Sequence, residues 1–172
     1  MTLLTQTRIF LAEDEPIIAS IIQEFLESQG FQVTVCHDGI EAWNCLQEEG
    51  SQFDAILLDR GLPNLDGMEV LRRIKNDSIL KRIPVIIETS HGDKESIREG
   101  LNKGAHYYLT KPFQPEVLMA VVNSALLQSR ELTQMVDNLR RSERPLALLH
   151  DGVYRFRELD EARILANYLA RA

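Results

Sequence analysis

Two uninterrupted apolar runs, Ile56-Leu57-Leu58 and Val85-Ile86-Ile87, leave little choice of architecture. A strand that is apolar on both faces must be covered on both, which is the situation of a central strand in a parallel sheet. These runs belong to a series of five strand candidates at residues 8–12, 32–36, 54–58, 84–88 and 105–110. Stretches of helical periodicity separate them, near 15–29, 39–48, 66–76 and 93–103. Gly30, Gly50 and Gly104 each follow a predicted helix and supply plausible stops. Strand and helix in alternation predict an α/β chain with a doubly wound parallel sheet and right-handed crossovers.

A fifth helix after Pro115 is expected to outgrow that domain. Nothing breaks it from about residue 116 until Pro145, a length of roughly 29 residues or about 43 Å. Its apolar stripe recurs at heptad spacing through Leu118, Ala125, Leu132 and Leu139, widened by Val122, Met135 and Val136. Beyond it, 146–149 form a short apolar turn, 153–157 read as a strand and 160–170 as an amphipathic helix. One strand and one helix make no core of their own. The expected organisation is therefore a domain over 1–129 and, over 130–172, a helix extension with a small strand-helix appendage. The distal stripe is either a coiled-coil seam or a dock for the appendage. The reading favoured here is a homodimer through the extended helix and appendage.

Charge narrows the classes of partner. The net charge is −7, and residues 1–129 carry 11 Lys and Arg against 19 Asp and Glu. No segment concentrates basic residues on one face as nucleic-acid binding requires. Arg155 and Arg157 flank Phe156, but Asp151, Glu158, Asp160 and Glu161 lie alongside, so a solvated strand face is the better reading. No apolar run reaches the roughly 20 residues of a membrane span, and no secretory leader is visible at the N-terminus. Cys36 and Cys45 match no metal spacing. Free thiols and a cytoplasmic location are expected, without nucleic-acid or membrane partners.

The chemistry gathers at strand ends. Glu13 and Asp14 follow the first apolar run and Asp59 follows the third. In a doubly wound sheet the carboxyl ends of strands 1 and 3 adjoin at the topological switch point. Carboxylates brought together there repel one another unless a cation intervenes, and an all-oxygen anionic site suits Mg²⁺. An Asp so placed is able to attack phosphorus and form an acyl phosphate. Thr89 after strand 4 offers a hydroxyl to a phosphoryl oxygen, and Lys111 after strand 5 offers a cation. Pro112 makes the preceding bond a candidate cis peptide that would aim the lysine inward.

These blocks resemble the receiver domains of two-component response regulators. The run Ile9-Phe10-Leu11-Ala12-Glu13-Asp14-Glu15-Pro16 is similar to the family's acidic opening. Leu57-Leu58-Asp59 with Leu62-Pro63 and Asp66-Gly67 is similar to its phosphoacceptor segment, and Glu88-Thr89-Ser90 to its switch threonine and small residue. Gly104-Ala105, Tyr108 and Lys111-Pro112-Phe113 match its closing motif. The resemblance covers about 8–129 and implies a flavodoxin-like (βα)5 fold with strand order 2-1-3-4-5, of the single-domain, chemotaxis-regulator-like type. It further implies that Asp59 is the phosphoacceptor and a Mg²⁺ ligand, that Asp14 binds the metal directly, and that Glu13 binds it mostly through water. Gly61 would add its carbonyl oxygen. Thr89, Ser90 and Lys111 would contact the phosphoryl group, and Tyr108 would turn inward when Thr89 is drawn to it. The implied phosphodonor is a phosphohistidine on a sensor histidine kinase or phosphotransfer protein, and output passes through contacts with a downstream protein.

Some positions fit less well. Gly61 and His91 occupy places that tune acyl-phosphate lifetime in the family. Glu88 is acidic where apolar residues are commoner; an edge environment is the expected reason, and it is assigned no role. Glu13 is the weakest of the acids, a solvated position being the alternative, and Tyr108 taken alone reads as packing. His37, His106 and His150 show no partner spacing. Three rival functions rank lower. A haloacid-dehalogenase-type phosphohydrolase would carry a second Asp where Gly61 stands. A DNA-binding output in 145–172 would need a helix-turn-helix pair, and a receiver that never takes phosphate would lack parts of the site. The chain is thus expected to be no enzyme beyond its own phosphorylation and dephosphorylation.

Overall fold

A computed structural model describes residues 6–90 and 102–141, with the backbone alone at 132, 133 and 135–141. Most of the expected fourth helix, His91, His150 and everything expected of 142–172 lie outside the described residues. Five strands, β1 (Arg8–Ala12), β2 (Gln32–Cys36), β3 (Ala55–Asp59), β4 (Val85–Thr89) and β5 (Tyr107–Thr110), form one sheet in the order β2-β1-β3-β4-β5. All neighbouring pairs are parallel. This is the flavodoxin-like order expected. The third and fourth strands each run one residue further than predicted, so that Asp59 and Thr89 end strands rather than follow them. β5 starts two residues later than predicted.

Alternation along the strands sorts the core into two layers. Phe10, Ala12, Ile56, Leu58, Val85 and Ile87 pack against helices α2 (Gly39–Glu49) and α3 (Gly67–Asn76). Ile9, Leu11, Ala55, Leu57 and Ile86 face α1 (Pro16–Ser28) and the long helix Pro115–Arg141. Both faces of β3 and β4 are buried throughout, which is why their sequences carry no polar alternation. The long helix contributes Leu118, Val122, Ala125 and Leu126 to the second layer. The predicted stripe is therefore core through Ala125; the side chains of Leu132 and Leu139 are not among those described.

Local chemistry sets the helix ends. Asp38 caps α2 by accepting from the backbone N–H groups of Ile40 (2.7 Å) and Glu41 (2.9 Å), and Asp66 caps α3 through Met68 N–H (2.8 Å). Pro16 opens α1, where its missing N–H costs nothing. Gly30, at φ +90°, closes α1: Gly30 N–H donates to Glu27 O (2.9 Å) and Phe31 N–H to Leu26 O (3.2 Å). That is the Schellman pattern, which needs a left-handed residue. The loop after β3 is tied to the start of α2 by Asn64, which donates to Asp38 Oδ2 (2.7 Å), and by Gly39 N–H donating to Pro63 O (3.1 Å).

The chain divides into two compact units, Met1–Ser129 and Arg130–Ala172. No helix among the described residues is long and apolar enough to cross a membrane. Cys36 and Cys45 are free thiols. One expectation fails: β4 lies between β3 and β5, and Glu88 is fully buried rather than at an edge.

Candidate functional site

Parallel strands that start together also end together, so one rim of the sheet collects the residues at their carboxyl ends. Glu13, Glu88 and Lys111 stand two residues beyond Leu11, Ile86 and Leu109, which share the α1-side core layer. Strand pleating therefore puts all three side chains over that layer. Asp59 pairs in register with Glu88 and Thr89 with Thr110, which aligns the ends of β3, β4 and β5.

Lys111 is the hub. Its Nζ donates hydrogen bonds to Glu13 Oε2 and Asp59 Oδ2, and lies 3.9 Å from Glu88 Oε2. Its backbone N–H donates to Thr89 O (2.8 Å), and the Lys111–Pro112 peptide bond is cis. The remaining carboxylate oxygens meet backbone donors: Gly61 N–H bonds Asp59 Oδ1 (2.7 Å) and Glu15 N–H bonds Glu13 Oε1 (3.2 Å). His37 Nδ1 donates to the Glu13 carbonyl oxygen (2.9 Å). Glu13, Asp14 and Asp59 each present a ligand atom, and these atoms lie within 4.8 Å of one another. Glu13 is fully buried and Asp14 exposed, so the pair that looks equivalent in sequence is split between the floor and the mouth of the site. The solvated alternative for Glu13 does not hold.

Thr89 is buried and Ser90 exposed. Tyr108 is half-buried against the α3-side core, and its hydroxyl donates to Met68 Sδ at 3.7 Å. Glu88 is the residue that sequence reasoning passed over. Both of its carboxylate oxygens are buried without a hydrogen-bond partner among the described residues. The available signal was an acid inside a five-residue run otherwise expected to be central.

The electrostatics follow from this crowding. Burial pushes Glu88 up to about 8, helped by the negative charges of Glu13 and Asp59 and opposed by Lys111. Burial also raises Glu13, more than the bond and charge of Lys111 lower it. For Lys111, burial works against the charge, but the bonds to Asp59 and Glu13 outweigh it and hold the ammonium above the ordinary lysine range. Glu13, Asp14 and Asp59 thus bring three acidic side chains to a rim that holds one ammonium, bonded to two of them. All the donors are hard oxygens, the set that Mg²⁺ prefers, so the residues fit the ion.

Comparison with known proteins places this rim in context. Residues 9–123 match the family described as the response regulator receiver domain. The chain is 39% identical over 143 residues to the uncharacterized transcriptional regulatory protein YkoG of Bacillus subtilis, an alignment covering 79% of this chain and 60% of that one. Among solved structures, it is similar to the receiver domain of the Francisella response regulator 1452, with 32% identity, a TM-score of 0.67, and coverage of 72% of this chain and 99% of the other. It is also similar to the receiver domain of the sensor histidine kinase PA1611 of Pseudomonas aeruginosa (33% identity, TM-score 0.64, covering 70% and 98%). That domain carries a magnesium ion coordinated in its active-site cleft. The chain spans between 51% and 65% of the length of the curated relatives it matches.

Proposed function

The chain belongs to the response-regulator receiver family of two-component systems, and from that membership we propose that it is a signalling switch thrown by phosphorylation of Asp59. The observation that carries the reading is the convergence of Glu13, Asp14 and Asp59 with Lys111 bonded to two of them. Ordinary turn or capping carboxylates have no reason to share a buried ammonium.

In the proposed reaction an oxygen of Asp59 attacks the phosphorus of a phosphohistidine on a sensor histidine kinase or phosphotransfer protein. The O–P bond forms as the P–N bond breaks, and the electron pair stays on the imidazole nitrogen, which is then protonated. Gly61 N–H anchors one Asp59 oxygen and so fixes the carboxylate's rotation. Lys111, already bonded to Asp59, is placed to meet a phosphoryl oxygen, and the Thr89 hydroxyl at the end of β4 takes another, with Ser90 beside it. When bound, Mg²⁺ would be held by Glu13, Asp14, Asp59 and the Gly61 carbonyl, and would neutralise the acids and the incoming phosphoryl charge. The only chemistry proposed for the chain is its own phosphorylation and dephosphorylation.

Output follows from Thr89 and Tyr108. Drawing Thr89 toward the phosphoryl group vacates space into which the Tyr108 ring turns. The bond that the Tyr108 hydroxyl makes to the Met68 thioether sulfur is a weak one. A change from mostly off to mostly on needs a differential of about 5 kcal/mol, within reach of a few charge-assisted bonds in a partly buried site. The altered surface is read by a downstream protein, and the distal long helix with the 130–172 segment joins two copies of the chain in a cytoplasmic homodimer.

Acetyl phosphate with Mg²⁺ tests the proposal. Wild-type protein should shift on a phosphate-affinity gel, and Asp59→Asn or removal of Mg²⁺ should abolish the shift. Equal labelling of Asp59→Asn would refute the assignment.

A further inference from the structure

We propose that Glu88 is a positioning residue for Lys111, receiving its ammonium when a divalent cation takes over Glu13 and Asp59. The inference rests on the metal-dependent reading above. In the structure the Lys111 Nζ spends its hydrogen bonds on Glu13 and Asp59, two of the three acids that would hold the metal. Lysine and cation therefore compete for the same oxygens. The Lys111 side chain is only 14% exposed, and its ammonium cannot simply be released without an acceptor, because a buried donor that loses its hydrogen bond bears the full desolvation cost of the group.

Glu88 answers that difficulty. Its Oε2 is 3.9 Å from Lys111 Nζ, the nearest acid other than the two already engaged, and both of its oxygens lack a hydrogen-bond partner among the described residues. It is fully buried, on the same core layer as Glu13 and Lys111. A buried polar group left unpaired in this way calls for an explanation. A side chain that is unpartnered in one state and engaged in another supplies it: a small swing of Nζ converts a 3.9 Å approach into a hydrogen bond and frees Glu13 and Asp59 at once. Glu88 is not among the acids that converge within 4.8 Å, so its part is to hold the lysine rather than the metal. A carboxyl or a carboxamide oxygen serves equally well as the acceptor, so the role does not depend on charge.

The test is a Mg²⁺ titration of the full chain, followed by amide chemical shifts, on wild type, Glu88→Leu, Glu88→Gln, Lys111→Met and the Glu88→Leu/Lys111→Met double variant. Glu88→Leu should weaken Mg²⁺ binding about tenfold, the scale on which supporting groups around a metal act. Glu88→Gln, which keeps an acceptor oxygen, should stay within about threefold of wild type. With Lys111 replaced there is no ammonium to rehouse, and Glu88→Leu should then have no further effect. A Glu88→Leu protein that binds as tightly as wild type overturns the inference, as does an equal loss in both backgrounds. Should Glu88→Leu fail to fold, a crystal structure of wild type with Mg²⁺ decides: Nζ must lie at about 2.7–3.2 Å from a Glu88 oxygen, and a longer separation refutes the role. Wild type that shows no Mg²⁺-dependent shifts removes the metal-dependent reading itself, whereas wild-type binding with a flat mutant cycle removes only this inference.

Discussion

Replacing Gly67 with alanine should damage both the stability of the domain and its site. Gly67 is the first residue of α3 and is buried against the end of β3. A Cβ built there would lie 2.0 Å from the carbonyl oxygen of Asp59, 2.9 Å from its carbonyl carbon and 3.0 Å from Arg60 Cα. All three are backbone atoms, so no side-chain rotation relieves the contact. Restoring an acceptable separation requires the helix start and the strand end to part by about 1 Å. The Gly67 N–H bond to Arg60 O, now 3.0 Å, would then stretch out of hydrogen-bonding range. Overpacking costs about 1–3 kcal/mol and an orphaned buried N–H about 1–3 kcal/mol. The better helix propensity of alanine returns at most about 1 kcal/mol. The net is a loss of about 3 kcal/mol, or roughly 10 °C in Tm for a domain of this size. Urea unfolding monitored by circular dichroism measures it. Gly61→Ala is the control, since a Cβ there would sit 3.6 Å from Asp59 Oδ1, an ordinary contact, and should cost under about 1 kcal/mol. Because the displaced atoms belong to Asp59, phosphorylation by acetyl phosphate should slow in Gly67→Ala as well. A Gly67→Ala protein within about 1 kcal/mol of wild type, on the scale of a neutral surface change, would show that the close approach is not real.

Other outcomes rest on the same geometry. Glu69 is held down to about 2 by its bonds to Arg72 and Arg73. A lowered folded pKa stabilises above the unfolded value of 4.5 and ceases to as pH falls toward 2, so Glu69→Gln should melt below wild type at pH 7 and match it near pH 2. Burial pushes the Cys36 thiol up to about 12 and also raises Cys45; iodoacetamide at pH 8 should modify Cys45 slowly and Cys36 only after denaturation, and rapid labelling of native Cys36 would contradict its burial. A chain ending after Gln128 should scatter light as a monomer if the distal helix and the rest of the 130–172 segment join two copies. An unchanged mass class would refute that interface.

Most of the architecture was legible because each element carries its own local signal. The continuous apolar runs at Ile56-Leu57-Leu58 and Val85-Ile86-Ile87 identify central strands, and Gly30 marks a helix stop by a backbone need that few other residues meet. Strand ends were less sharp, since Asp59 and Thr89 are polar and read as loop although both still pair in the sheet. The candidate acids were legible from their position after apolar runs. What sequence could not show was the division of labour among them. Adjacent in the chain, Glu13 is fully buried and Asp14 exposed, because pleating sends one toward the core layer and the chain leaves the sheet at the other. Glu88 was misjudged for a related reason: a lone acid in an apolar strand suggests an edge, and only the order of the strands reveals that Lys111 arrives beside it from β5.

The shared pleat phase of the rim residues ties the layout of the rim to the packing of the interior. Inserting or deleting one residue within β1, β4 or β5 would invert every side chain beyond it. An aliphatic residue would then emerge at the carboxylate rim while a charged one sank among hydrocarbon. Such a lesion would act twice, on the packing of the core and on the assembly of the rim, so these strands tolerate replacement of residues better than a change in their count. A change of loop length leaves that register untouched, whereas the spacing from apolar run to acid or lysine must be kept for the rim to assemble.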